Sequence, residues 1–374
     1  PVLSGITTFS GQQYFIPPKG TTAERPSDCP PGSIRFNTDT AHLEYWQGTV
    51  WLEFEASSVE LGGSLTGAAT TFSTNGTGHR GVFMGGGAPT QTTHMDYITI
   101  DTFGTAQDFG DMGAANRNGN NGIIASSTRG IAATGDTNPT VNGTVFHITF
   151  ASTGGTTSTG SVYTARRLAA GCSNQTRAIV AGGLDTPSEG DVTNIIESTT
   201  IASLGTAEDF GDLIAANYLT MGCASSVRGI FMGGGSPNTN VIQYITLSTT
   251  GNAQDFGDMV NVGRGLGSAS NSTRGILAGG YVDPGANTET IQFITLATTG
   301  NAQDFGDLNT SRRDGAAVAS PTRMVVGAGY NGGSFFQSLE SIQFLTTGNS
   351  LDFGDLVNAG RFRLTGTSNG HGGL

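Results

Sequence analysis

The sequence predicts an all-β chain: a small N-terminal β meander, then a six-bladed β-propeller closed by the C-terminal strand. Three observations predict it. The composition is a strand-and-turn vocabulary, with 59 Gly among 374 residues, only 12% charged residues and a single Lys, Lys19. A motif recurs at a period of roughly 50 residues over most of the chain. The last residues resemble a piece that the first repeat lacks.

The composition also excludes classes. Glycine is frequent without a three-residue period and there are only 12 Pro, so collagen is excluded. No apolar stretch approaches the length of a membrane-spanning helix. PVLSGITTFSGQQYF has no basic region ahead of an apolar run, so no signal peptide is expected and the chain reads as a cytosolic product. A net charge of −12 opposes a nucleic-acid binder that works by neutralising phosphates. Three Cys without a CxxC leave neither a disulfide framework nor a zinc site.

The string DFGD occurs at 108–111, 209–212, 255–258, 304–307 and 352–355; the copy expected between the first two falls in STGGTTSTGS (152–161), which has lost it. A second landmark is an Arg before a small or apolar run, at Arg80, Arg129, Arg177, Arg228, Arg274 and Arg323, spaced 49, 48, 51, 46 and 49 apart. Six units follow, each with four strand-like pieces. In one unit these are Arg228–Gly234, Val241–Thr249, Ala253–Met259 and the small-residue piece Arg264–Asn271, separated by Gly, Asn, Ser and Pro turns. Four short antiparallel strands in this length make a propeller blade.

The last small-residue piece is Arg361–Asn369, and the segment before Arg80 lacks one. The C-terminal strand therefore supplies the missing partner of the first unit, which removes exposed sheet edges. Small residues suit strands crowded round an axis. Cys172 and Cys223 hold equivalent positions there and read as buried small hydrophobes.

Ahead of the repeats, residues 1–57 form a separate module, 58–75 a Gly/Ser/Thr linker, and 76–374 the propeller. The module holds six of the 12 Pro and both Trp. Ser33–Asn37, Leu43–Gln47 and Val50–Glu55 read as its strands. So small a meander needs a partner surface.

The motifs read as architecture. DFG recurs five times without the other kinase signatures. Its Phe is expected between blades, and its Asp residues on turn amides or on Arg. Eleven of 16 Arg recur with the blade: the six landmarks plus Arg117, Arg167, Arg264, Arg313 and Arg361. The GGG runs lack GKS/T, the Asp spacing does not fit an EF-hand loop, and the His residues fall at unrelated registers, so no catalytic, cofactor or metal residue is assigned. Length variation concentrates between the first and second of these pieces, measured from each landmark Arg to Tyr97, Phe146, Ser198, Tyr244, Phe293 and Phe344. Those loops share one rim, the usual place for binding. Loop 6 offers Tyr330, Phe335 and Phe336; loop 3 offers Asp185, Glu189 and Asp191.

The units RGxFxGG…IxYITIxTTGNAxDFGDL are similar to kelch-type blades without the kelch Trp. With PVLSGITTF and GSIRFNTDTAHLEYWQGTVW they resemble virion structural proteins of tailed bacteriophages, especially phages of marine cyanobacteria. The resemblance implies a virion location after assembly in the host cytoplasm and a non-enzymatic role as tail fibre or appendage. The N-terminal module would dock to other virion proteins, with Tyr14, Phe15, Phe36, Tyr45, Trp46 and Trp51 as its candidate contacts. The propeller would face host-surface glycan or protein, or neighbouring subunits, within a homo-oligomer. No nucleic acid, membrane insertion or cofactor is expected. A capsid knob or decoration protein is the alternative. A propeller-based glycan-degrading enzyme is the third reading, and it requires acidic residues particular to one or two blades.

Overall fold

The computed structural model describes residues 17–40, 42–53, 79–87, 90–116, 119, 121–136, 140–185 and 191–374. The 58–75 linker, Tyr14, Phe15, Arg117 and Glu189 lie outside the described residues. The chain divides into two compact units, Pro1–Thr77 and Gly78–Leu374. Both are built of strands, and the only helical element among the described residues is the 3-10 turn Thr22–Glu24.

In the first unit, Lys19–Gly20 pairs in parallel with Ile34–Asn37, which continues antiparallel to His42–Trp46 and Trp51–Glu53. Ile34 lies opposite Tyr45, and Tyr45 opposite Leu52; Phe36 lies opposite Leu43. Alternation thus gathers five apolar side chains on one face. The other face carries Arg35, Asn37 and Glu44, all buried. Arg25 and Arg35 converge on Glu44 at 2.6 and 3.4 Å.

Among its described residues the second unit contains six four-stranded antiparallel sheets. In spatial order, sheet 1 is Thr365–Ser368, Arg80–Met84, His94–Thr99 and Gln107–Asp111. Sheet 2 is Ile124–Ala125, Arg129–Asp136, Val141–Thr149 and Thr157–Ser161. Sheet 3 is Ala170–Ser173, Arg177–Ala181, Ile195–Thr200 and Glu208–Asp212. Sheet 4 is Met221–Ala224, Arg228–Gly234, Thr239–Thr246 and Gln254–Asp258. Sheet 5 is Gly267–Ser270, Arg274–Ala278, Thr290–Thr295 and Gln303–Asp307. Sheet 6 is Ala316–Ala319, Arg323–Gly327, Ser338–Gln343 and Leu351–Asp355. The C-terminal strand thus completes the first sheet, with Thr365 opposite Met84 and Ser368 opposite Gly81.

The landmark Arg residues explain the period. Each reaches a backbone carbonyl just beyond the third strand of the next sheet. Arg80 donates to Phe150 O (2.6 Å), Arg129 to Ile201 O (2.8 Å) and Arg177 to Leu247 O (2.7 Å). Arg228 donates to Leu296 O (3.0 Å), Arg274 to Phe344 O (2.9 Å), and Arg323, in sheet 6, to Ile100 O of sheet 1 (3.0 Å). Only a long, permanently charged fork supplies such a bond from a half-buried position. The first strands also adjoin one another in sequence from sheet 1 to sheet 6, and Ala316–Ala319 adjoins Thr365–Ser368.

The DFGD motif has its own cause. Phe109, Phe210, Phe256, Phe305 and Phe353 are buried in the layers between sheets, as expected. The motif Gly takes a positive φ, +142° at Gly354, and a Cβ there would come within 2.6 Å of the Gly104 backbone. That approach lets Gly104 N–H donate to Phe353 O (2.9 Å), a bond repeated by Gly154 to Phe109 O and Gly251 to Phe210 O (both 2.7 Å). The motif Asp residues make local contacts instead of ion pairs with Arg: Asp108 accepts from Gly110 N–H (3.2 Å) and Asp111 from the Thr93 hydroxyl (2.8 Å).

The buried ion pairs are elsewhere. Arg166 pairs with Glu197, Arg312 with Glu340 and Arg361 with Asp96, each Arg joining the linker after one sheet to the third strand of the next. Arg166 and Arg312 sit beside Arg167 and Arg313, the residues singled out by register. The pairing also corrects two alignments: opposite the residue before DFGD stand Tyr97, Tyr244, Phe293 and Ser341, not Phe344. In sheet 2 the equivalent is His147, not Phe146.

Candidate binding face

At one end of the sheets, the linkers leaving the fourth strands meet the loops between second and third strands. The backbone fixes this meeting. Arg264 pairs with Tyr281 in a small sheet of Gly263–Arg264, Tyr281–Val282 and Ala286–Asn287. Bridges join Arg313 to Tyr330, Tyr218 to Gly235, Arg167 to Leu184 and Phe362 to Gly87.

Across sheets 4 to 6 these positions carry alternating guanidinium groups and rings. Arg264 lies 5.7 Å from the Tyr218 ring and 5.5 Å from Tyr281; Arg313 lies 4.6 Å from Tyr281 and 5.5 Å from Tyr330. Tyr330 stacks on Phe335 at 5.0 Å and 29°, Phe335 lies 5.2 Å from Phe362, and Arg363 lies 5.2 Å from Phe362. Such stacking fixes each guanidinium plane while leaving its edge N–H donors free. Arg264 spends one donor on the Tyr218 hydroxyl (2.8 Å). Among the described residues, neither Arg264 nor Arg313 has a carboxylate partner, whereas Arg363 meets Asp314 at 3.3 Å and Arg167 meets Asp136 at 3.4 Å. Phe335 remains 37% exposed.

Two of the three aromatic residues expected in loop 6, Tyr330 and Phe335, are therefore joined here. Phe336 is turned away, half-buried 4.8 Å from the buried Arg312. Asp185 and Asp191 are exposed in the loop of sheet 3, linked by a backbone bond of 3.2 Å, and have no such ladder. Tyr281, Phe362 and Arg363 were not anticipated. The signal was present, since Tyr281 and Tyr330 each stand seven residues after a landmark Arg.

The space between the first strands is filled by the chain itself. At the ladder end, Asn121 bridges Ala170 and Gly122 bridges Gly222. A cavity of about 10 Å³, room for about one water, remains beside Asn121, Leu266 and Leu364. At the far end His371 is buried with Nε2 3.1 Å from Ala125 O, and Gly372 N–H donates to Ser270 O (2.8 Å). Burial lowers the His371 pKa to about 4, so the ring is neutral there near neutral pH. Cys172 and Cys223 are buried; burial pushes both thiols up, Cys223 to about 12. Among the described residues no three His, Cys, Asp or Glu side chains converge as metal ligands.

In the first unit the candidate docking residues divide. Phe36 and Tyr45 belong to the apolar face, where Ile34 and Leu43 are exposed. Trp46 and Trp51 pack on each other at 5.6 Å, and Trp51 Nε1 donates to Pro26 O (3.0 Å).

No protein-family model matches the chain, and no curated protein matches it.

Proposed function

We propose that Gly78–Leu374 is a six-bladed, kelch-like propeller in a non-enzymatic structural protein of a tailed-phage particle, of the tail fibre or appendage type. The N-terminal module docks to other virion proteins, and the propeller rim faces a host-surface or neighbouring-subunit partner. The observation that carries the architecture is the cyclic Arg-to-carbonyl series, in which Arg323 of the sixth sheet reaches Ile100 of the first. The axis is occupied from both ends by Asn121–Gly122 and by His371–Leu374, which leaves the rim as the accessible surface. Docking through the first unit is supported by the apolar face of Ile34, Phe36, Leu43, Tyr45 and Leu52, which the unit's own described residues leave partly exposed. The virion assignment itself rests on the likeness of the repeat and of GSIRFNTDTAHLEYWQGTVW to phage structural proteins.

Peptide mass spectrometry of particles from the encoding phage tests this. The chain is expected at far lower copy number than the head protein, with antibodies to residues 1–57 blocked in the particle and antibodies to the rim binding. Copy numbers near that of the head protein would favour the capsid-decoration reading. Absence from the particle would refute both.

A further inference from the structure

We propose that the rim of sheets 4 to 6 binds a linear anionic polysaccharide, a chain of sugars bearing carboxylate or sulfate groups. This deepens the reading of the rim as the presented binding face, and rests on it. Three features of the ladder select that class. First, the guanidinium groups of Arg264 and Arg313 lie 5.5 and 4.6 Å from the Tyr281 ring and have no carboxylate partner among the described residues, in a chain whose net charge is −12. Their free N–H edges suit the planar carboxylate or the sulfate oxygens. Second, Phe335, the exposed ring of the ladder, offers apolar surface to the C–H faces of sugar rings. Third, the contacts run from Tyr218 through Arg264, Tyr281 and Arg313 to Tyr330 and Phe335, spacing two cations between rings across three sheets, which matches a polymer with a charge on each repeat and not a single small anion. Of the carboxylates at this end, Asp314 is taken by Arg363, Asp283 accepts from Asn238 (2.7 Å), and Asp185 and Asp191 belong to the loop of sheet 3; among the described residues the exposed Glu289, Asp258, Asp307 and Asp355 make no ion pair with Arg264 or Arg313.

Calorimetry on the full chain at low salt tests it, with polygalacturonate, its fully methyl-esterified form and chondroitin sulfate as probes. Binding of at least one charged polymer is expected, at least tenfold tighter than the methyl ester and weakening with added salt. That comparison needs no variant. The double variant Arg264→Gln/Arg313→Gln is expected to bind at least tenfold more weakly, and Leu345→Ser, beyond the far end of the third strand of sheet 6, to bind as wild type. The polygalacturonate and chondroitin arms separate carboxylate from sulfate. Binding of neither charged polymer, equal binding of the ester, unchanged affinity of the double variant, or tighter binding of single-stranded DNA would each overturn the proposal. The measurement uses isolated protein, so its failure is distinct from absence of the chain from the particle.

Discussion

Replacing Arg361 with Met should destabilise the second unit in a pH-dependent way. Arg361 and Asp96 are 2% and 0% exposed, and they tie the linker after the sixth sheet to the third strand of the first. The other groups facing Asp96 are Asn358 Nδ2 at 3.4 Å, too distant to replace a guanidinium, Asp108 opposite it on the fourth strand, which raises its pKa, and His94, which lowers it. Breaking a buried pair from one side costs about 3–5 kcal/mol. For a unit of this size that is a melting-temperature loss of roughly 6–10 °C. The sign with pH follows from Asp96, whose carboxyl burial raises above its usual 3.8, with Arg361 opposing the rise. A carboxyl with a raised folded pKa favours the folded state below its unfolded pKa, and that contribution is lost as pH rises through the folded value. Losing Arg361 raises Asp96 further. The variant's deficit should therefore be larger at about pH 7.5 than at about pH 4.5. Asp96→Asn in the Arg361→Met background should recover most of the loss, because no charge is then left buried. Thermal unfolding followed by circular dichroism reads all of this. A single variant that melts as wild type near neutral pH, or a deficit independent of pH, refutes the reasoning.

Three further outcomes are expected. Gly354→Ala should cost about 2–4 kcal/mol in denaturant unfolding, from strain at φ +142° plus the clash with Gly104, whereas Gly160→Ala, at φ +78° with open space, should cost only about 1 kcal/mol; equal costs would remove the role given to the motif glycine. A thiol reagent should modify only the half-buried Cys29 promptly in native protein and all three Cys after denaturation; rapid native modification of Cys172 or Cys223 would contradict their burial. Arg323→Ala loses the bond to Ile100 O and the stack over Phe103 at 4.4 Å, and should lower stability by about 1.5–3 kcal/mol; an unchanged denaturation midpoint would show that this bond is idle.

The landmark Arg residues were legible because each does the same work in every unit, and repetition in the sequence follows from repetition in geometry. The buried ion pairs were harder to read. Asp96, Glu197, Gln243, Gln292 and Glu340 hold one position opposite the first Asp of DFGD. Where that side chain is acidic the preceding linker brings a buried Arg; where it is Gln it accepts a backbone N–H instead, Gln243 from Ile214 and Gln292 from Val260, both at 2.8 Å. Reading that covariation needs the pairing register, and the register was misplaced in sheet 2, where Thr159 stands in the motif's Phe position. The rim aromatics of loop 6 were visible as composition, but their union with Phe362 joins segments about 30 residues apart through ring contacts of 6.0 and 5.2 Å that no local pattern encodes. The packing of Asn121–Gly122 and of the chain's last residues against the first strands is likewise a tertiary fact.

Closure of the six sheets is decided by a crystal structure of the full chain. Thr365–Ser368 is expected antiparallel to Arg80–Met84, with the Arg323 guanidinium on Ile100 O. The last strand lying free, or the six sheets succeeding one another without the sixth meeting the first, would contradict it.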